Sequence, residues 1–289
     1  MLFTCDFIRA NERADISPFR QCGRIIVGCG RHCAVHGVAP GITVLAPLKG
    51  SLGILTGQSS ISLRRGQIIT IESTQQVHAI GDGLFVAVLL PFAMWRSLLD
   101  ARRPAADPAL FPYVHDVDRS TLRSIVQLAR AAARQDQRMS RLAAVSFAHA
   151  MAVLQAPFDQ LIARCPGRAW AQRRSVFLRL LRARNLMESD CHRNLDVSHF
   201  ASLANYSMFH FIRAFRSVYG KTPHAELVEQ RLRRAHELLN TSPLAVYEIA
   251  LIAGFEDRSA FARSFKRRYG ISATDLRQQF QRRSLQAVA

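Results

Sequence analysis

Between residues 20 and 92 the apolar positions come in short runs at 25–27, 42–45, 52–55, 67–71 and 84–90, rich in Ile, Val and Leu. Turn-forming groups stand between them: Pro40-Gly41, Lys49-Gly50-Ser51, Gly57, Arg65-Gly66 and Gly81-Asp82-Gly83. Short runs punctuated in this way predict strands, and several at this spacing predict a small sandwich or barrel. Such a body either encloses a small ligand or is filled by its own side chains. Pro104, Pro108 and Pro112 then mark a connection. From Ser120 the period lengthens. Leu122, Ile125, Ala129 and Ala132 recur at spacings of three and four, and so do Leu142, Val145, His149 and Val153. Both stripes predict amphipathic helices that pack on the β body or on a second copy of the chain. Pro157, Pro166 and Gly167 mark a further boundary, after which the pattern is helical in short pieces. The division expected is a β domain at 1–110, a helical linker or dimerisation segment at 111–170, and an all-helical domain at 171–289.

The strongest signal is an internal repeat. Arg213-Ala-Phe215-Arg216-Ser-Val-Tyr219-Gly220 is matched by Arg263-Ser-Phe265-Lys266-Arg-Arg-Tyr269-Gly270 fifty residues on. Upstream, Ala201-Ser-Leu-Ala204-Asn205-Tyr206 is matched by Ala250-Leu-Ile-Ala253-Gly254-Phe255. Repetition at this period means one supersecondary unit used twice. Each copy reads as helix-turn-helix. Asn205 and Gly254 supply the left-handed turn residue. Ser207 and Asp257 are placed to cap the second helix. Phe211 with Phe215, and Phe261 with Phe265, share one face at i, i+4 and predict the core. The opposite faces carry Phe209, Ile212, Arg213 and Arg216 in one copy, and Arg258, Ser259, Ala262, Arg263 and Lys266 in the other. Arginine among small or apolar groups suits a major groove, where it reaches guanine edges while apolar atoms meet thymine methyls. A solvated face is the plainer reading of the same charges. Between the copies, Thr222 and Pro223 start a spacer helix whose expected buried stripe is Ala225, Val228, Leu232, Ala235 and Leu239.

Composition strengthens the nucleic-acid reading. The 289 residues carry 39 Lys+Arg against 21 Asp+Glu, a formal charge of +18. Residues 174–289 hold 19 basic and 10 acidic groups, half of the excess. A balance that basic favours a polyanionic partner. At 49% hydrophobic the chain can bury two real cores. The longest apolar stretch, residues 83–95, is too short to span a bilayer and contains Pro91. Asp6, Arg9, Glu12 and Arg13 interrupt any leader-like run. The expected setting is therefore the cytoplasm, with the six cysteines as thiols.

At these residues the sequence resembles the AraC/XylS family of bacterial transcription regulators, over roughly residues 175–280. The pattern includes Arg231, Ala235, Leu238, Leu239, Ile249-Ala250, Gly254-Phe255, Asp257, Ser259, Phe261, Arg263, Phe265-Lys266, Tyr269-Gly270 and Leu276-Arg277. The resemblance implies two helix-turn-helix units joined by a linker helix, with promoter DNA and RNA polymerase as partners. By position, groove contacts fall to Phe209, Ile212 and Arg213, then to Arg258, Ser259 and Arg263. Arg216 and Lys266 lie on the same exposed faces. The chain departs from the family pattern at Asn205, where Gly is usual, and at Ala273, where Pro is frequent. Residues 63–78, from Leu63-Arg-Arg-Gly66 to His78, resemble the family's cupin-like β-barrel. This implies a domain that binds a small effector, forms a homodimer, or both; the effector is not named by the sequence.

Two other readings stay open. A cupin metalloenzyme would need clustered ligands; His32, His36 and His78 form no His-x-His pair, and Glu72 stands alone. A nucleoid protein would bind DNA without an effector. Neither a catalytic residue nor a cofactor is expected. Cys29-Gly-Arg-His32-Cys33-Ala-Val-His36 offers four ligands for zinc or for redox sensing, but at no standard zinc spacing. Strand alternation would put Cys29 and Cys33 on one face and His32 on the other. Cys191-His192-Arg193 resembles the active-site triplet of DNA alkyltransferases, but Asp190 precedes it and the rest of that domain is missing, so Cys191 is expected to be incidental.

Overall fold

The computed structural model describes residues 2–17, 21–56, 59–99 and 110–286. Gly57, Pro104 and Pro108 lie outside these residues. The chain divides into two compact units, Met1–Leu178 and Arg179–Ala289.

The first unit is built on one mixed eight-stranded sheet. The strands are β1 (Phe3–Ile8), β2 (Arg13–Asp15), β3 (Gly23–Val38), β4 (Ile42–Thr56), β5 (Ser59–Arg64), β6 (Gln67–Ile71), β7 (Gln76–Leu90) and β8 (Tyr113–Asp116). The pairing order β1-β3-β7-β4-β6-β8 is open at both ends. β1 and β2 run parallel to successive halves of β3, whereas β6 and β5 run antiparallel to successive halves of β4. The three long strands β3, β7 and β4 therefore carry two half-sheets. One apolar cluster draws on both halves, with Ile26 and Val35 from β3, Leu45 and Leu52 from β4, and Ala79 and Ala87 from β7. The sheet is thus folded over a filled interior, and the expected barrel or sandwich is realised as an open, bent sheet.

The turn signals at Lys49-Gly50-Ser51 and Gly81-Asp82-Gly83 do not end strands, contrary to expectation. They are bends inside β4 and β7. Gly30, Gly83 and Gly50 lie opposite one another across β3, β7 and β4. All three have positive φ, and a Cβ on Gly50 or Gly83 would lie 1.8 or 2.2 Å from the facing carbonyl oxygen of Asp82 or Lys49. Bulges between Pro47 and Lys49 in β4, and between Gly30 and Cys33 in β3, shift the alternation by one. Ile26 and Cys33 can then face the same interior although their parities differ. The same bulge overturns the expected pairing of Cys29 with Cys33: Cys29 is exposed and Cys33 is buried with its Sγ 3.2 Å from the carbonyl of Arg9. Among the described residues no three His, Cys, Asp or Glu side chains converge as a metal would require.

The outer face of the first half-sheet packs on α1 (Phe92–Leu98), α2 (Arg119–Ala133) and α3 (Gln137–Gln155). Trp95, Ile125, Leu128, Phe147 and Met151 meet Ile25, Val44, Val86 and Val88 there. The two predicted stripes separate. Ile125, Ala129 and Ala132 are buried and Leu122 partly so, whereas Leu142, Val145 and Val153 are 56%, 45% and 60% exposed. α3 buries the opposite face, through Ala144, Phe147, Ala148 and Met151. The short α4 (Pro157–Ala163) follows, and α5 (Trp170–Ser189) contains the division between the units. No single helix among the described residues is long and apolar enough to cross a membrane.

The second unit holds the rest of α5 and α6 (Val197–Leu203), α7 (Met208–Tyr219), α8 (Pro223–Thr241), α9 (Val246–Ile252), α10 (Arg258–Tyr269) and α11 (Ala273–Gln286). Pairs α6–α7 and α9–α10 are the two repeated units, and α8 is the spacer.

Candidate nucleic-acid interface

The repeat folds twice in the same way. Asn205 takes φ 53° between α6 and α7, and Gly254 takes φ 96° between α9 and α10. Gly220 and Gly270 end the second helices at φ 74° each, donating to the carbonyls of Arg216 and Lys266. Asp257 caps α10 by accepting from the N–H groups of Ser259 and Ala260. Ser207 holds the equivalent position before α7, but its hydroxyl pairs with the His210 ring at 2.8 Å instead of a backbone donor. The aromatic pairs are core as expected. Phe211 and Phe215 are fully buried with ring centroids 5.6 Å apart, and Phe261 and Phe265 are buried at 5.4 Å.

Burying those faces turns the others to solvent. Phe209, Arg213 and Arg216 of α7 are exposed and Ile212 is half-buried; Arg258, Ser259, Arg263 and Lys266 of α10 are all exposed. Phe209 is 71% exposed, an unusual position for a phenyl ring and one that leaves it free to meet an apolar surface. Arg258 lies over the Tyr247 ring at 4.9 Å, which steadies its guanidinium at the start of α10. Arg263 approaches Asp257 only at 3.9 Å with both groups exposed, a contact too loose to occupy it. Each second helix thus presents arginine beside small or apolar groups, with a basic last turn in α10 from Lys266, Arg267 and Arg268.

The spacer departs from its expected stripe. Leu232, Ala235 and Leu239 are buried with Ile249, Phe261 and Phe265 of the second unit of the repeat. Ala225 is exposed, and the first half of α8 buries Pro223, Glu226, Leu227 and Gln230 instead. The buried face rotates along the helix, so a single stripe does not describe it. Thr222 caps the helix and Pro223 opens it, as the sequence predicts.

The polar network at the start of α8 was not anticipated. The Glu226 carboxylate is fully buried and receives Arg184 Nε at 3.2 Å, Lys221 Nζ at 2.7 Å and Gln230 Nε2 at 2.7 Å. Burial alone would raise its pKa; the Lys221 hydrogen bond, the Arg184 charge and the Gln230 amide outweigh that and hold it below the ordinary carboxylate range. Lys221 also pairs with Glu229 at 2.6 Å, and Arg268 of α10 approaches Glu229 at 3.8 Å. The chain of charges runs from α5 through α8 to α10. Two arginines of the family pattern act as clamps. Arg231 Nε donates to the Cys191 carbonyl at 2.7 Å, and Arg277 donates to the carbonyls of Ser242 and Leu244. Cys191 itself is buried, and burial raises its thiol pKa. That setting is structural.

A family model described as a helix-turn-helix domain matches residues 200–279. The virulence regulon transcriptional activator VirF of Yersinia enterocolitica is 32% identical over 96 residues, 33% of this chain and 35% of the relative. The regulator ExsA of Pseudomonas aeruginosa is 35% identical over 92 residues, 32% and 33% of the two chains. The chain spans about a third of the length of these curated relatives. Among solved structures, the DNA-binding domain of AdpA in complex with a target DNA is similar at 33% identity, covering 36% of this chain and 94% of that one with a TM-score of 0.35.

Proposed function

We infer, from the helix-turn-helix domain matched at residues 200–279 as premise, that the chain is a sequence-specific DNA-binding transcription regulator of the AraC type. The observation that carries this is the duplicated unit. Two helices of equal length, with the same aromatic anchors and the same left-handed turns, expose arginine-bearing faces. Phe209, Ile212, Arg213 and Arg216 read one major groove, and Arg258, Ser259, Arg263 and Lys266 the next, about 34 Å away on the same side of the duplex. Promoter DNA and RNA polymerase are the macromolecular partners, and the cytoplasm the setting. Residues 1–110 serve as a sensor for a small effector, residues 111–170 as the connection through which the chain forms a homodimer, and residues 171–289 as the reading domain. The exposed stripe Leu142, Val145 and Val153 on α3 supports the dimer, because an apolar helix face on a folded unit calls for a partner. Relatives that match the domain are regulators, and we assign no catalytic role.

The test begins by selecting bound fragments from fragmented genomic DNA with the full chain. Arg213→Ala and Arg263→Ala are then compared on a selected site and on random DNA. Loss of about 1–3 kcal/mol on the selected site, with little on random DNA, is expected for base contacts. Equal losses on both DNAs would assign these side chains to phosphate contact, and failure to select any sequence would refute the reading.

A further inference from the structure

The helical hairpin of the first unit has a charge pattern that its packing does not explain. Residues 119–155 contain six arginines, no lysine and a single acid, Asp136. On α2 and its C-cap residue Arg134, which keeps the right-handed helical conformation, Arg119, Arg123, Arg130 and Arg134 fall at i, i+4, i+11 and i+15, with Gln127 between them, which places them on one face. All four are exposed, while Ser124, Ile125, Leu128 and Ala132 are buried on the other side. The arginines therefore form a single row about 22 Å long, at the helical rise of about 1.5 Å per residue.

An ordinary solvated helix intersperses acids at i, i+4, because like charges at that spacing repel. Here the nearby acids are committed elsewhere. Asp118 accepts from the Thr121 N–H and the Ser120 hydroxyl, Asp136 from the Met139 N–H, and Asp116 from the Gln67 amide. Among the described residues none of the four arginines makes an ion pair, whereas Arg24, Arg184, Arg193, Lys221 and Arg233, for example, each pair with a carboxylate. The use of Arg rather than Lys says little, since the whole chain favours it. The placement is what distinguishes this row: one unpaired face that opposes its own helix electrostatically.

We propose that the Arg119–Arg123–Arg130–Arg134 face of α2 is a second DNA contact, which binds the phosphate backbone without reading sequence. The ligand class rests on the DNA-binding reading above. A duplex offers a phosphate every 3.4 Å along each strand, so about 22 Å of arginines spans roughly six of them. Guanidinium groups pair with phosphate oxygens in a fork, and such contacts hold a protein on DNA while leaving specificity to base contacts. The face is independent of the apolar stripe on α3, so its use is compatible with a dimer formed there.

The experiment changes all four arginines to Gln in the full chain. Binding to a random-sequence duplex of about 40 bp, long enough for several helical turns, is followed by anisotropy across roughly 50–200 mM salt. Each phosphate contact contributes about 0.9 to the slope of log affinity on log salt. The expected result is a slope shallower by about 2–4 and weaker binding at every salt concentration, with a thermal midpoint unchanged or raised because the repulsion is gone. The double variant Arg123→Gln/Arg130→Gln, expected to lose about half as much slope, serves if the fourfold variant folds poorly. Arg213→Ala/Arg263→Ala is the companion, read on a selected site. If that variant weakens binding there while the α2 variants keep the wild-type slope, the α2 contact is wrong and the regulator reading stands. If the wild type binds no duplex, both fall. If the α2 variants keep the DNA slope but lose binding to phosphatidylserine vesicles, the face serves an anionic membrane and the proposal is overturned.

Discussion

Removing the Glu226 carboxylate should disturb the second unit more than any surface change on α7 or α10. In Glu226→Ala the Arg184 and Lys221 charges lose a partner that is itself fully buried, and Gln230 loses an acceptor. Breaking a buried pair from one side costs about 3–5 kcal/mol. Arg184 and Lys221 keep side-chain exposures of 21% and 34%, so both can still reach water. We therefore expect about 2–3 kcal/mol, or about 10 °C in the midpoint of a unit this size. Glu226→Gln keeps one acceptor and should cost about half as much. The two tryptophans, Trp95 and Trp170, both fall in the first unit, so their fluorescence reports that unit while helical ellipticity reports both. The ellipticity midpoint should fall in Glu226→Ala and the fluorescence midpoint should hold. The pH dependence has a defined sign. The folded pKa is depressed, so this stabilisation is present above the unfolded carboxylate value and is lost as pH falls through the folded one. Glu226→Gln should flatten that acid limb. An ellipticity midpoint within about 2 °C of wild type in Glu226→Ala would refute the reading of this network as structural.

Three further outcomes are expected. Asn205→Gly should be neutral or slightly stabilising because φ is 53° there, whereas Asn205→Val should cost at least about 1 kcal/mol in thermal unfolding, since a β-branched residue resists that region. Leu142→Gln/Val145→Gln should weaken a dimer in sedimentation without lowering the melting midpoint, because both side chains are exposed, whereas Ile125→Gln should unfold the first unit. His115 is buried beside Gln155 and the Phe158 ring, and burial lowers its pKa to about 4. The first unit should therefore hold this contribution above about pH 6.5 and lose roughly 3 kcal/mol as pH falls toward 4, a loss that His115→Gln should abolish in fluorescence-monitored unfolding.

Local rules were enough for the two repeated helix pairs, though not for the spacer between them. A positive-φ residue, an aromatic i, i+4 pair and a glycine cap are each decided within a few residues, so the repeat could be read twice and compared with itself. Asn205 is the instructive position: the repeat aligned it with Gly254, and both take the left-handed conformation. The first unit resisted for the opposite reason. Lys49-Gly50-Ser51 and Gly81-Asp82-Gly83 have the composition of turns, but their conformation is set by neighbours distant in sequence. Gly83 must be glycine because Lys49 faces it, and Gly50 because Asp82 does. Nothing local distinguishes a glycine that ends a strand from one that lets three strands bend together. The Cys29–Cys33 expectation failed with it, since one bulge reverses every parity that follows.

The same distinction explains why the exposed faces of α7 and α10 were legible and their support was not. A face is visible in the period of one helix, so the sequence alone sets Arg213 and Arg263 opposite Phe211 and Phe261. The Glu226 network joins residues 184, 221, 226, 229, 230 and 268, and no single period contains it. Yet a spacer that only buried a stripe could slide or rotate at small cost, because apolar contact is non-directional. A carboxylate held by three donors fixes the rotation of α8, and Glu229 extends that constraint toward α10 through Arg268. On the proposed DNA-binding reading, α7 and α10 reach adjacent grooves at least cost when their separation is fixed before DNA arrives, since ordering them on binding would weaken affinity. Directional charge at one end of α8 and apolar packing at the other bury two different faces along its length, and on that reading the two together supply the preorganisation.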